Sequence, residues 1–293
     1  MEDFSVIDIL KEMLSQRGRY ITGMSIPYEQ LTFTNQFMFE KVLTCPENKN
    51  IVRRIIEMAI GEEVEDIQLV QSENSIQIYH DSKGVRFDVY LKTLKKYIDI
   101  ELQTIAVRYL DKRHRYYHSN MDLDQLGPSM KYESLKASYV IFILLEDPYK
   151  LGLPVYHIQS KCLEFPDLKI EDDRYTVYMN TTAMNVEDSD LREFYQYIQT
   201  HEATGAFTRE IEQKVQRLRK DKYIRSQYMQ LEELMQAREE QGVVKGIQQG
   251  SAAEKEKICI ALLKKNMGIS FIQDVTGMDE KTIQKLARES GRA

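Results

Sequence analysis

The apolar run at residues 139–145 (YVIFILL), closed by Glu146-Asp147-Pro148, constrains the fold more than any other feature. It is about a third of the length a membrane helix needs, and it has the length of a strand. A strand this apolar is buried on both faces, so it belongs in the middle of a sheet covered by helices. The flanking sequence supplies both layers. Residues 67–70, 75–80, 85–91 and 97–103 alternate or run apolar over strand lengths. Polar turns at Ser72-Glu73-Asn74, Ser82-Lys83-Gly84 and Lys95-Lys96 separate them. Residues 155–160 and 175–180 read as two more strands. Helical spacing appears at Phe4, Ile7 and Leu10, then from a Thr34 cap through Phe37, Phe39, Val42 and Leu43, and then over 50–60 and 106–121. The expected fold is α/β, a mixed sheet flanked by helices, with an all-helical C-terminal extension.

That extension begins after Asn180. A helix over 191–198 precedes a long charged helix from 208 to 241. Gly242, Gly246 and Gly250 are expected to break it as a linker. The last segment reads as a helix-turn-helix. Ser270 caps one helix, Gly277 makes the turn, Asp279 caps a second, and Ile272, Val275, Ile283 and Leu286 form the core. Glu280, Lys281, Gln284 and Lys285 would face a DNA groove, and the same tail could serve self-association into a homo-oligomer. Three regions follow: 1–205 as the main domain, 206–250 as charged helix and linker, and 251–293 as the tail.

Composition narrows the function classes. The net charge is −6, so a polyanion site must be a local patch. The three cysteines, Cys45, Cys162 and Cys259, are far apart and form no CxxC pair, so neither a zinc ribbon nor a disulfide framework is supported. No HExxH motif is present. The first residues, MEDFSVIDILKEM, are acidic where a secretory leader is basic. A cytoplasmic protein without a membrane anchor is expected.

Chemistry concentrates in two neighbouring strands. Phe87, Val89 and Leu91 point one way and Asp88 the other; Ile98, Ile100 and Leu102 oppose Asp99, Glu101 and Gln103. A hairpin would bring Asp88 and Glu101 together. Two carboxylates and a main-chain carbonyl form a hard-oxygen site suited to Mg²⁺. The following helix carries Lys112, Arg113, Arg115, Tyr116 and Tyr117, a basic face with tyrosines suited to phosphate. A second basic cluster, from Lys214 to Arg225, is flanked by acidic residues and reads as a solvated face.

The strings FDVYLKT and YIDIELQ resemble a D-x(n)-E-x-Q form of the PD-(D/E)xK nuclease pattern. Thr34-Asn35-Gln36-Phe37-Met38-Phe39 is similar to a TNDxxF motif, and residues 112–119 (KRHRYYHS) to a KRxxYYxS helix. Residues 138–143, Asp147-Pro148 and Gly152-Leu153-Pro154-Val155-Tyr156 are similar to a central strand followed by a DP–GxPxY segment. Together, over about residues 31–200, they resemble the recombination-promoting nuclease (Rpn) and PD-(D/E)xK nuclease family transposase group. The resemblance implies a restriction-endonuclease-like fold and DNA cleavage dependent on Mg²⁺ or Mn²⁺. Asp88 and Glu101 would hold the metal with the Leu102 carbonyl. Gln103 would take the place of the usual lysine and orient water, and Lys112, Arg113 and Tyr117 would hold the DNA backbone. Gln36 and Glu40 depart from the family's common Asp and Lys. With Gln103, Gln36 leaves open the alternative of a catalytically weak DNA-binding or interaction protein on the same fold.

Overall fold

The computed structural model describes residues 26–64, 66–76, 85–104 and 108–290. The helix expected at Phe4–Leu10 and the end of the strand expected at 75–80 lie outside these residues. The chain divides into two compact units, Met1–Arg225 and Ser226–Ala293.

The first unit is built on a six-stranded sheet of order β1-β2-β3-β4-β6-β5. The strands are β1 (Leu69–Ile76), β2 (Val85–Lys92), β3 (Lys96–Gln103), β4 (Ala137–Leu144), β5 (Val155–Ile158) and β6 (Arg174–Asn180). β1, β2 and β3 form an antiparallel meander, while β4 lies parallel to both β3 and β6. β5 closes the far edge antiparallel to β6. The apolar run is therefore an inner strand, and Val140 to Ile143 have no exposure. Helix α3 (Leu110–Gln125) forms the β3-to-β4 crossover. It covers a face built from Phe87, Tyr90, Val140, Phe142, Leu144 and Tyr178. On the other side come α1 (Gln36–Thr44) and α2 (Lys49–Ile60); α1 lies against β1 and β2, and α2 against β6. α4 (Ser189–Thr200) and α5 (Ala206–Lys220) complete the unit.

Several sequence expectations change here. Ser72-Glu73-Asn74 is no turn: Ser72 and Asn74 pair with Val89 and Phe87, so one strand replaces two. Asn35, not Thr34, caps α1, its side chain accepting from the Met38 N–H (3.3 Å). α3 begins at Leu110 rather than Ala106, because Tyr109 adopts a left-handed φ of 65°. Phe87 leaves the face of Val89 and stacks on Tyr90, with ring centroids 4.9 Å apart.

The long charged helix is interrupted at Asp221. The Asp221 carboxylate accepts from the N–H groups of Tyr223 (2.8 Å) and Ile224 (3.2 Å), capping a new helix, α6 (Lys222–Lys264). α6 runs through Gly242, Gly246 and Gly250 without the expected break. A helical glycine costs about 1 kcal/mol against alanine, which weakens a helix without ending it. In the second unit, α7 (Ile269–Thr276) and α8 (Glu280–Glu289) close over Cys259, Ile272, Ile283 and Leu286. Gly277 turns between them at φ 66°, and Asp279 caps α8 through the Thr282 N–H (2.9 Å). Gly268, not Ser270, precedes α7, and Val275 is exposed rather than core.

Candidate active site

The β2–β3 register runs from Lys92↔Tyr97 to Val89↔Ile100 and stops one step short of Asp88 and Glu101. There the two strands exchange side-chain bonds instead of a ladder. The Asp88 N–H donates to Glu101 Oε1 (3.1 Å), and the Leu102 N–H donates to Asp88 Oδ2 (3.2 Å). Each carboxylate is thus fixed by the other's strand. Both are buried rather than in solvent, with Asp88 4% and Glu101 0% exposed. From the first turn of α1, Gln36 Nε2 reaches Asp88 Oδ1 (2.9 Å) and also Glu40 Oε1 (3.2 Å).

α3 supplies the remaining contacts. The left-handed Tyr109 starts it, and its carbonyl accepts from the Lys112 and Arg113 N–H groups (3.0 Å each). One turn in, the Arg113 guanidinium forks. Nη2 meets Glu101 Oε2 at 2.7 Å, and Nη1 meets Gln103 Oε1 at 2.8 Å. Nε and Nη2 also hold the Tyr117 hydroxyl (2.9 and 2.6 Å), which donates to Glu101 Oε2 (3.1 Å). Gln103 Nε2 then donates to the Leu102 carbonyl (3.2 Å). Lys112 is exposed, with its ammonium 5.2 Å from the centre of the Tyr109 ring.

Electrostatics follow from burial. The Glu101 carboxyl is pushed up to about 8, first by desolvation and then by the charge of Asp88. Arg113 and the bonds from the Asp88 N–H and Tyr117 pull the other way. Burial and the neighbouring Glu101 raise the Tyr117 phenol. Asp99 has no exposure, and neither of its oxygens makes a hydrogen bond. Burial first, and then the charges of Glu101 and Asp88, push its carboxyl well above the usual range.

The group implied by these carboxylates is a divalent cation. The residues fit it: Asp88 and Glu101 are buried and interlocked across β2 and β3, and their oxygens are the hard donors such an ion takes. Burial first, and then the charge of Asp88, raises the Glu101 carboxyl, and a bound cation would reverse that rise. No cluster of three His, Cys, Asp or Glu side chains that could hold a metal occurs among the described residues. Two carboxylates and a carbonyl with water completing the shell is nevertheless the ordinary binding mode of Mg²⁺.

Proximity of Asp88, Glu101 and Gln103 was readable from strand alternation. The contact of Gln36 was not, since α1 and β2 are joined only by tertiary packing. Nor did the sequence reveal a second polar cluster beside the same turns of α3. His114 and His118, one helical turn apart, both hydrogen-bond Thr176 Oγ1 (2.6 and 2.9 Å), and His118 also meets Ser138 Oγ (2.9 Å). Burial lowers both imidazoles, His118 to about 3. The i,i+4 spacing of the pair was the available signal.

A family model described as PD-(D/E)XK nuclease family transposase matches residues 33–245, well over half of the chain. No curated protein and no solved structure gives a match.

Proposed function

Since the chain belongs to the PD-(D/E)XK nuclease family transposases, we propose that it is a Mg²⁺-dependent endodeoxyribonuclease acting in recombination or on mobile elements. The carrying observation is the pair Asp88 and Glu101, both buried and interlocked through the Asp88 and Leu102 N–H groups. Mn²⁺ would suit the same oxygen donors. Asp88, Glu101 and the Leu102 carbonyl would hold the ion. When bound, it would lower the pKa of water and stabilise charge on the phosphodiester.

The chain's own residues then divide the remaining work. Gln36 holds Asp88 in its rotamer from the far side (2.9 Å). Gln103, fixed at both ends of its amide, can accept from or donate to water but brings no charge. Arg113 and Tyr117, read from the sequence as DNA ligands, have donors committed to Glu101 and Gln103. Exposed Arg108, Lys112 and Arg115 around the start of α3 remain available for the phosphate backbone.

One observation favours the weaker alternative of a DNA-binding protein with little cleavage: two neutral amides border the carboxylate pair, Gln36 bonded to Asp88 (2.9 Å) and Gln103 bonded to Arg113 (2.8 Å). Plasmid cleavage separates the two readings. Wild type should nick or linearise supercoiled DNA with Mg²⁺, stop on adding chelator, and lose activity in Asp88→Ala. Cleavage that persists unchanged in Asp88→Ala would rule this site out. DNA binding without cleavage in any divalent metal would establish the alternative.

A further inference from the structure

We propose that Arg113 is a positioning residue that supplies, from α3, the positive charge β3 lacks at Gln103. This rests on the nuclease reading above. The site end of β2 and β3 carries Asp88, Asp99 and Glu101 with the neutral Gln103. Two strand lysines are engaged elsewhere, Lys92 with Asp124 (3.2 Å) and Lys96 with Glu62. Arg113 brings its charge to Glu101 and Gln103 together, at 2.7 and 2.8 Å. A planar fork can hold two acceptors at once in a fixed geometry, which an ammonium cannot. The guanidinium is also seated, 5.1 Å from the centre of the Tyr117 ring and 5.7 Å from that of Phe142.

The consequence for Gln103 is directional. Its carbonyl oxygen is drawn to Arg113, so its amide nitrogen faces the Leu102 carbonyl at the edge of the carboxylate pair (3.2 Å). Arg113 therefore acts on the reaction through Gln103 and Glu101. A transition state that gathers negative charge on a phosphodiester benefits from a cation already in place. The Arg113 side chain keeps 32% exposure, so its charge borders the approach to Glu101 instead of being sealed beneath it.

The test is a charge relocation, Arg113→Gln, Gln103→Lys and the double variant, read by cleavage kinetics with Mg²⁺ and by metal-free thermal unfolding. Arg113→Gln should lower kcat by about 100-fold or more with KM for DNA unchanged. Gln103→Lys in that background should return kcat to within about tenfold of wild type. The unfolding midpoint should follow the same non-additive pattern: lower in each single variant, recovered in the double. A rise in KM with kcat intact would make Arg113 a phosphate ligand and overturn the proposal. So would a lysine at 103 that rescues neither readout. Should wild type cleave no DNA, the nuclease reading falls by itself, and the unfolding cycle still decides whether the two positions share one charge. If Arg113→Gln does not fold, Arg113→Lys serves. It keeps charge but loses the fork, so kcat should fall at constant KM, whereas a rise in KM alone would overturn the role.

Discussion

Glu101 has no exposed side-chain surface and sits beside the charge of Asp88, which makes its protonation a matter of folding. Its carboxyl rises from the ordinary 4.5 to about 8 in the folded chain. Between those values the folded state binds more protons than the unfolded one, so metal-free stability falls as pH rises through that window. Glu101→Gln should flatten this fall in urea or thermal melts taken from about pH 5 to pH 8. A wild-type stability that climbs over the same range would refute the burial argument. Divalent-ion affinity should run the opposite way and tighten with pH, because the ligand must lose its proton first. Calorimetry in buffers of different ionisation enthalpy would show proton release on Mg²⁺ addition. Asp99 makes a separate prediction. Both its oxygens are buried without a hydrogen bond, so Asp99→Val should stabilise the fold by about 1–3 kcal/mol. Cleavage should survive, because Asp88, Glu101 and Gln103 take their hydrogen bonds from the Leu102 and Asp88 N–H groups and from Arg113. Lost activity with a normal melt would instead make Asp99 part of the site. Alternation along β3 showed that Asp99 and Glu101 share a face. It could not show that α3 would cover that face, which turns an apparently solvated acid into a buried one.

Elements explain why the site sits where it does. The β2–β3 ladder ends at Val89↔Ile100, and two carboxylates take over the N–H groups that further pairing would have used. α1 enters through its Asn35 cap, and the next residue, Gln36, reaches Asp88. Asn35→Ala should cost about 1 kcal/mol, the usual worth of an N-cap. Because the same turn carries Gln36, it should also lower kcat without changing folding cooperativity. A loss confined to stability would uncouple the cap from the site. Strand and helix identities were largely legible, because periods of 2 and 3.6 are imposed by burial on one face. Boundaries failed where a local bond competes with pattern. Asp221 caps α6 and interrupts a charged stretch whose sequence reads as continuous helix, while three glycines that read as a linker remain helical. Phe87 failed for another reason: alternation assumes a regular ladder, and β2 loses regularity beside Asp88.

At the scale of the molecule, α5 belongs to the sheet-bearing unit. It buries Phe207, Ile211 and Val215. It also receives the Tyr28 hydroxyl on the Leu218 carbonyl (2.5 Å) and sends Arg219 Nε to the Leu31 carbonyl (2.7 Å). Tyr197 on α4 donates to Glu212 (2.9 Å). A chain ending at residue 205 should therefore expose the pocket for three core side chains and fail to unfold cooperatively. A chain ending at Arg225 keeps the whole compact unit and should unfold cooperatively and retain Mg²⁺-dependent kcat. Among the described residues beyond it, the hydrophobic core is a small cluster of buried side chains, Cys259, Ile272, Ile283 and Leu286. A unit that small gains little from burial, so 226–293 alone should be only marginally stable. Its exposed cations Lys281, Lys285 and Arg288 lie at helical spacing on α8 and match phosphates better than bases. Removing them should weaken DNA binding and flatten its log–log salt dependence by about 0.9 for each phosphate left without its cation. Binding isotherms at several salt concentrations, on the full chain and the chain ending at Arg225, measure this directly. Equal affinity and equal slope in the two would show that α8 does not touch DNA. A slope that flattens while kcat at saturating DNA stays constant would separate binding by the second unit from chemistry in the first.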